Sequence, residues 1–149
     1  MIKVAIVEDD HEIRKLTASL LNFYEDIECV GTFDNAEAFS NALSNLKPDV
    51  VLMDIGLPQQ DGIECVRQNH LKFADIEFIM FTNRIDTKGV FDALAAGATG
   101  YVLKGGTPEK LVESIREVKA GGSPMSRQIS RMVTTTFQQT EKNILNSTN

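Results

Sequence analysis

Five short apolar runs, each followed by a stretch with helical periodicity, restrict this chain to a small set of folds. The runs are Lys3 to Val7, Glu28 to Thr32, Asp49 to Met53, Glu77 to Phe81 and Gly100 to Leu103. They are rich in Val, Ile, Leu or Phe without strict alternation, as strands covered on both faces should be. The segments between them carry apolar stripes at helical spacing: Ile13, Leu16, Leu20 and Phe23; then Phe39, Ala42, Leu43 and Leu46; then a weaker set of Ile63, Val66 and His70. Val90, Phe91 and Leu94 mark a fourth helix, and Leu111, Val112, Ile115 and Val118 a fifth. Boundary signals agree. Asp34 with Glu37 reads as a capping box, Thr107-Pro108 as an N-cap and first helical residue, and Gly121-Gly122 as a stop. Five strand–helix units with right-handed crossovers predict an α/β fold, a doubly wound parallel sheet in the flavodoxin-like order 2-1-3-4-5 with helices on both faces.

That order makes the first and third strands neighbours, and both end in acid. The first runs into Glu8-Asp9-Asp10 and the third into Asp54, so three or four carboxylates are expected at one crevice. Like charges so close raise one another's pKa or demand a cation. A hard divalent ion with oxygen ligands, Mg²⁺ before others, resolves the conflict. The fourth strand ends at Thr82 and the fifth at Lys104, which brings a hydroxyl and an ammonium to the same edge. Acids, a hydroxyl and a lysine around one carboxylate suit phosphoryl transfer: Asp54 as the nucleophile, with the cation, Lys104 and Thr82 stabilising charge on the transferring group.

Composition excludes other classes. The net charge of −6 opposes attachment of this chain by itself to nucleic acid or an anionic membrane. Two cysteines, Cys29 and Cys65, make neither a disulfide framework nor a metal quartet, and His11 and His70 lack metal-ligand spacing. No run reaches membrane-spanning length and no leader pattern precedes the first strand, so a cytoplasmic protein with reduced thiols is expected. An FMN site is the competing use of such a fold. It would need free N–H groups after the first strand, where this chain has Glu-Asp-Asp. A metal-dependent aspartyl phosphatase would want a second acid where Gly56 stands.

Val7-Glu8-Asp9-Asp10, Met53-Asp54 with Pro58 and Asp61-Gly62, Phe81-Thr82, and Gly100 through Lys104 together resemble the receiver domain of two-component response regulators over about residues 1–122. The run from Ala96 to Gly122 is similar to the LuxR/NarL branch, whose receivers precede a helix-turn-helix domain. The resemblance implies that Asp54 accepts a phosphoryl group from the histidine of a sensor kinase. It implies that Glu8, Asp9, Asp54 and the backbone carbonyl of Gly56 hold Mg²⁺, that Thr82 and Lys104 bind the phosphoryl group, and that Tyr101 is a rotating switch aromatic. Asp10 then reads as the N-cap of the first helix. The implied output is transcriptional control through a phosphorylation-dependent homodimer, with DNA bound only by a C-terminal domain outside this chain; the alternative is a stand-alone receiver acting only through protein–protein interaction. Two departures bear on kinetics. Gly105-Gly106 follows Lys104 where many receivers have proline or aspartate, and Asn83 follows Thr82 where a small residue is common.

Each of these residues also has an ordinary reading. Thr82 and Lys104 taken singly are more often surface residues than ligands, and Tyr101 equally suits a half-buried strand aromatic. Residues 123–149 read as a linker or extension. Pro124 to Thr136 suits a short helix capped by Ser126, with Ile129, Met132 and Val133 on its apolar side, and the polar stretch from Phe137 reads as linker or frayed end.

Overall fold

In the computed structural model, which describes residues 1–147, the strands and helices alternate as expected: β1 (Ile2–Val7), α1 (His11–Asn22), β2 (Ile27–Phe33), α2 (Ala36–Leu46), β3 (Val50–Met53), α3 (Gly62–His70), β4 (Glu77–Thr82), α4 (Thr87–Ala96), β5 (Gly100–Leu103), α5 (Pro108–Lys119) and α6 (Arg127–Ser147). The sheet order is β2-β1-β3-β4-β5 and every neighbouring pair is parallel. Successive strand residues point to opposite faces, so two cores form. Ala5, Val7, Val51, Met53, Phe78 and Met80 pack with Phe39, Leu43, Val66 and Val90 of α2, α3 and α4. Val4, Ile6, Val50, Leu52, Ile79 and Val102 pack with Leu21 of α1 and Leu111 and Ile115 of α5. This two-sided burial is why the strands lack polar alternation.

Asp10 caps α1 through Ile13 N–H, and Thr107 caps α5 with Pro108 as its first residue. Three expectations need correction. The second helix is capped by Asn35, not Asp34. Asn35 accepts from Ala38 N–H, while Asp34 accepts from the Asn35 amide, because β2 runs on through Phe33 and shifts the helix start by one residue. The stripe on α1 is rotated. Thr17 and Leu21 face the sheet, and Leu16 and Phe23 stay 69% and 82% exposed. Thr17 can be buried because its hydroxyl donates to the Ile13 carbonyl at 2.7 Å. The third correction concerns the C-terminal stretch, where α6 continues past Thr136 to Ser147 instead of giving way to a polar linker. The expected extension also included residues 148–149, which lie outside the described residues.

β5 would be an exposed edge strand. Pro124, Met125 and Ser126 cover it, with Met125 bridging Tyr101 in parallel, Tyr101 N–H donating to Pro124 O at 2.9 Å and Ser126 N–H to Tyr101 O at 3.0 Å. Leu103 N–H donates to the Ser126 hydroxyl at 2.9 Å. The helix that follows lies on α4, with Ile129 fully buried and the rings of Phe137 and Phe91 5.8 Å apart.

Candidate functional site

The ladder hydrogen bonds continue one residue beyond the strands, and that extension assembles the site. Glu8 N–H donates to Phe33 O, Asp54 N–H to Val7 O at 3.0 Å and Lys104 N–H to Thr82 O at 3.0 Å. The first residues after β1, β3 and β5 are therefore stitched across one sheet edge. Behind Asp54, the turn is closed by Leu57 and Gly62, whose N–H groups both donate to Ile55 O. Gly62 must lack a side chain: a Cβ there would lie 1.9 Å from the Asp54 carbonyl oxygen. Asp61 caps α3 beside it by accepting from Glu64 N–H at 2.8 Å.

Carboxylate oxygens of Glu8, Asp9 and Asp54 lie within 4.8 Å of one another, with Glu8 and Asp54 buried and Asp9 exposed. Lys104 Nζ donates to Asp54 Oδ2 at 3.1 Å and forms an ion pair with Glu8. Burial pushes the Glu8 carboxyl up to about 7, against the opposing pull of the Lys104 ammonium. For Lys104, burial favours loss of the proton, but the Glu8 and Asp54 carboxylates outweigh it and the pKa is raised. One ammonium among three carboxylates leaves excess negative charge. The donors are all hard oxygens, three carboxylates sharing one ammonium. This set fits Mg²⁺. Gly56 sits exposed at the mouth, with open space around its Cα.

Thr82 and Tyr101 meet on a different residue. The Thr82 hydroxyl oxygen accepts from Arg84 N–H at 3.3 Å, which leaves its own proton free to donate, and the Tyr101 hydroxyl donates to Arg84 O at 2.7 Å. Tyr101 is fully buried, and burial pushes its phenol up to about 12. The Arg84 guanidinium in turn clasps Asp86 at 2.5 and 3.2 Å and lies where a side chain on Gly89 would be. No periodicity or motif signals this clasp, which depends on a backbone turn. Arg14 is a second addition: its guanidinium donates to the carbonyls of Glu8, at 2.8 Å, and Asp9, and so holds the acidic turn. A basic residue one turn into α1 was the available signal.

Such a sheet with its acids at the β1–β3 crevice is a doubly wound α/β module with a candidate cation site, and comparison with known proteins makes the class specific. Residues 4–116 match the response regulator receiver domain, and the chain belongs to that family. It is 35% identical over 134 residues to YhcZ, an uncharacterized transcriptional regulatory protein of Bacillus subtilis, covering 90% of this chain and 62% of that protein. A protein-glutamate methylesterase/protein-glutamine glutaminase of Nocardioides sp. is 40% identical over 121 residues, covering 78% of this chain but 33% of that protein. A crystal structure of a LuxR-family two-component response regulator from Aurantimonas sp. superposes with a TM-score of 0.85 at 27% identity, covering 89% of this chain and 95% of that one. The chain thus spans about 62% of the length of YhcZ, and one receiver type accompanies more than one output. Among the described residues no helix is long and apolar enough to cross a membrane.

Proposed function

We propose that this receiver takes a phosphoryl group from the phosphohistidine of a sensor histidine kinase onto Asp54. A carboxylate oxygen of Asp54 attacks phosphorus, the P–N bond breaks, its electron pair returns to the histidine ring, and an acyl phosphate forms on Asp54. The observation that carries this is the convergence of Glu8, Asp9, Asp54 and Lys104 at one crevice. Lys104 offsets charge on the transferring group, and the free Thr82 proton donates to one of its oxygens. Glu8, Asp9, Asp54 and the Gly56 carbonyl would hold Mg²⁺, which when bound neutralises the phosphoryl oxygens and makes approach of a dianion feasible. Tyr101 reads the state of Thr82 through the Arg84 peptide. The chain itself performs no chemistry beyond gaining and losing this group.

In the intact regulator the state of Asp54 would control transcription, through pairing of receivers and a DNA-binding domain C-terminal to residues 1–122. The relation to YhcZ and the Aurantimonas regulator supports that output. The test is acetyl phosphate with Mg²⁺, followed by intact-mass analysis. One phosphoryl adduct per chain is expected, lost with EDTA and absent in Asp54→Asn. An undiminished adduct on that variant assigns the acceptor elsewhere.

A further inference from the structure

The surface of β5 and α4 is occupied in this chain by its own C-terminal segment. Tyr101 is the residue shared by both. Its side chain reaches Arg84 O, and its backbone N–H and C=O are bound by Pro124 and Ser126. The fit is built on both sides. Gly100 has no side chain, and a Cβ there would come within 3.1 Å of Pro124. Tyr101, Ile129, Met125, Met132 and Val133 belong to one apolar cluster. A tyrosine on an edge strand is ordinarily open to solvent on at least one side; this one is fully buried.

We propose that seating of α6 and burial of the Tyr101 ring are one coupled event, so that α6 is the partner of the β5–α4 surface and its docking raises the affinity of the acidic site for a phosphoryl group. This deepens the receiver reading and rests on it. With α6 seated, Pro124 to Ser126 fix the Tyr101 backbone and the cluster around Ile129 fills the space beside its strand, so the ring is held on Arg84 O. Arg84 N–H is thereby kept on the Thr82 oxygen, which leaves the Thr82 proton available to a phosphoryl oxygen. Coupling between sites is reciprocal. A phosphoryl group on Asp54 therefore tightens α6, and loosening α6 weakens the site at a distance.

The test uses the whole chain, beryllofluoride with Mg²⁺ as the phosphoryl mimic, fluorine NMR for its affinity and hydrogen exchange for α6. In wild type, the saturating mimic is expected to slow exchange between Ile129 and Phe137 by about fivefold or more. Phe137→Ala, at a residue 64% exposed and remote from the acids, should speed that exchange and lower mimic affinity by a similar factor. Ser126→Ala provides a second way to loosen the anchor, and unchanged exchange in β1 and β3 shows that the sheet is intact. Loosened α6 with unchanged mimic affinity overturns the coupling, as does wild-type α6 whose exchange ignores the mimic. Exchange unchanged in both variants overturns the assignment of these side chains to the seat. Failure of wild type to bind the mimic at all, together with no acetyl phosphate adduct, instead sinks the receiver reading.

Discussion

The two flanks of the sheet are finished in opposite ways. Beside α4, the apolar surface is closed by the chain's own extension, with Ile129 fully buried and Phe137 against Phe91. Beside α1, Leu16 and Phe23 stand in solvent, and a groove of about 450 Å³ opens between α1 and α5, lined by Ile13, Leu16, Phe81, Val102, Lys104 and Pro108 among others. Similar apolar periodicity in the sequence thus ends in cover on one flank and exposure on the other. Periodicity marks what a helix can bury; the neighbouring chain decides what it does bury.

The largest expected effect breaks the covered flank. Ile129→Ala removes a side chain with no exposed surface, and should cost about 2–5 kcal/mol if α6 unfolds with the sheet. Urea unfolding followed by circular dichroism measures it. A single transition with a lowered midpoint and an unchanged slope makes α6 part of the cooperative unit. Two transitions, with the sheet's own midpoint unchanged, would make it an appended element.

The acidic edge between the flanks gives an intermediate effect with a defined sign. The Glu8 carboxyl is raised from 4.5 to about 7 in the folded protein, burial being the main cause. Folded protein thus holds this proton more tightly than unfolded protein. Its contribution to stability is fully present below about 4.5 and is lost as pH rises through about 7. Without divalent cation, the stability of wild type relative to Glu8→Gln should fall by on the order of 1–3 kcal/mol between pH 5 and pH 8. Added Mg²⁺ should restore most of it at pH 8. Parallel pH profiles for the two proteins would show that Glu8 is charged throughout.

Sheet order was legible from five strand–helix units with right-handed crossovers, and the acid convergence from strand ends: an apolar run that stops at Glu8 or Asp54 places its acid whatever the loops do. Lys104 followed for the same reason, and Thr82 was legible as the end of the strand beside it. What lay hidden depends on contacts between distant segments. The length of α6 was obscured because its outer half is polar, yet Gln138, Gln139, Glu141 and Lys142 are competent helix formers once the Ile129 end is docked. The Arg84–Asp86 clasp over Gly89 and the approach of Gly62 to the Asp54 carbonyl are backbone geometries that no periodicity encodes. The shift from Asp34 to Asn35 is one residue, within the reach of a strand that runs slightly longer than its apolar core.

The smallest effect sharpens the open flank. Leu16→Ser changes a side chain that is 69% exposed on α1, so little apolar area is withdrawn from water on folding and little is lost by making it polar. The helix itself is affected only by the modest difference in propensity between leucine and serine. A change within about 0.5 kcal/mol is expected in urea unfolding at low protein concentration. The same residue lines the groove between α1 and α5, and that makes a null result informative. If Leu16 were covered in solution by another molecule or by more of the chain, the covered state would contribute to stability and the substitution would remove that contribution. A cost above about 1 kcal/mol, growing with protein concentration, would therefore mean that the flank is closed by association. A small cost at every concentration leaves α1 as the bare side of the molecule and α6 as the cover peculiar to the other.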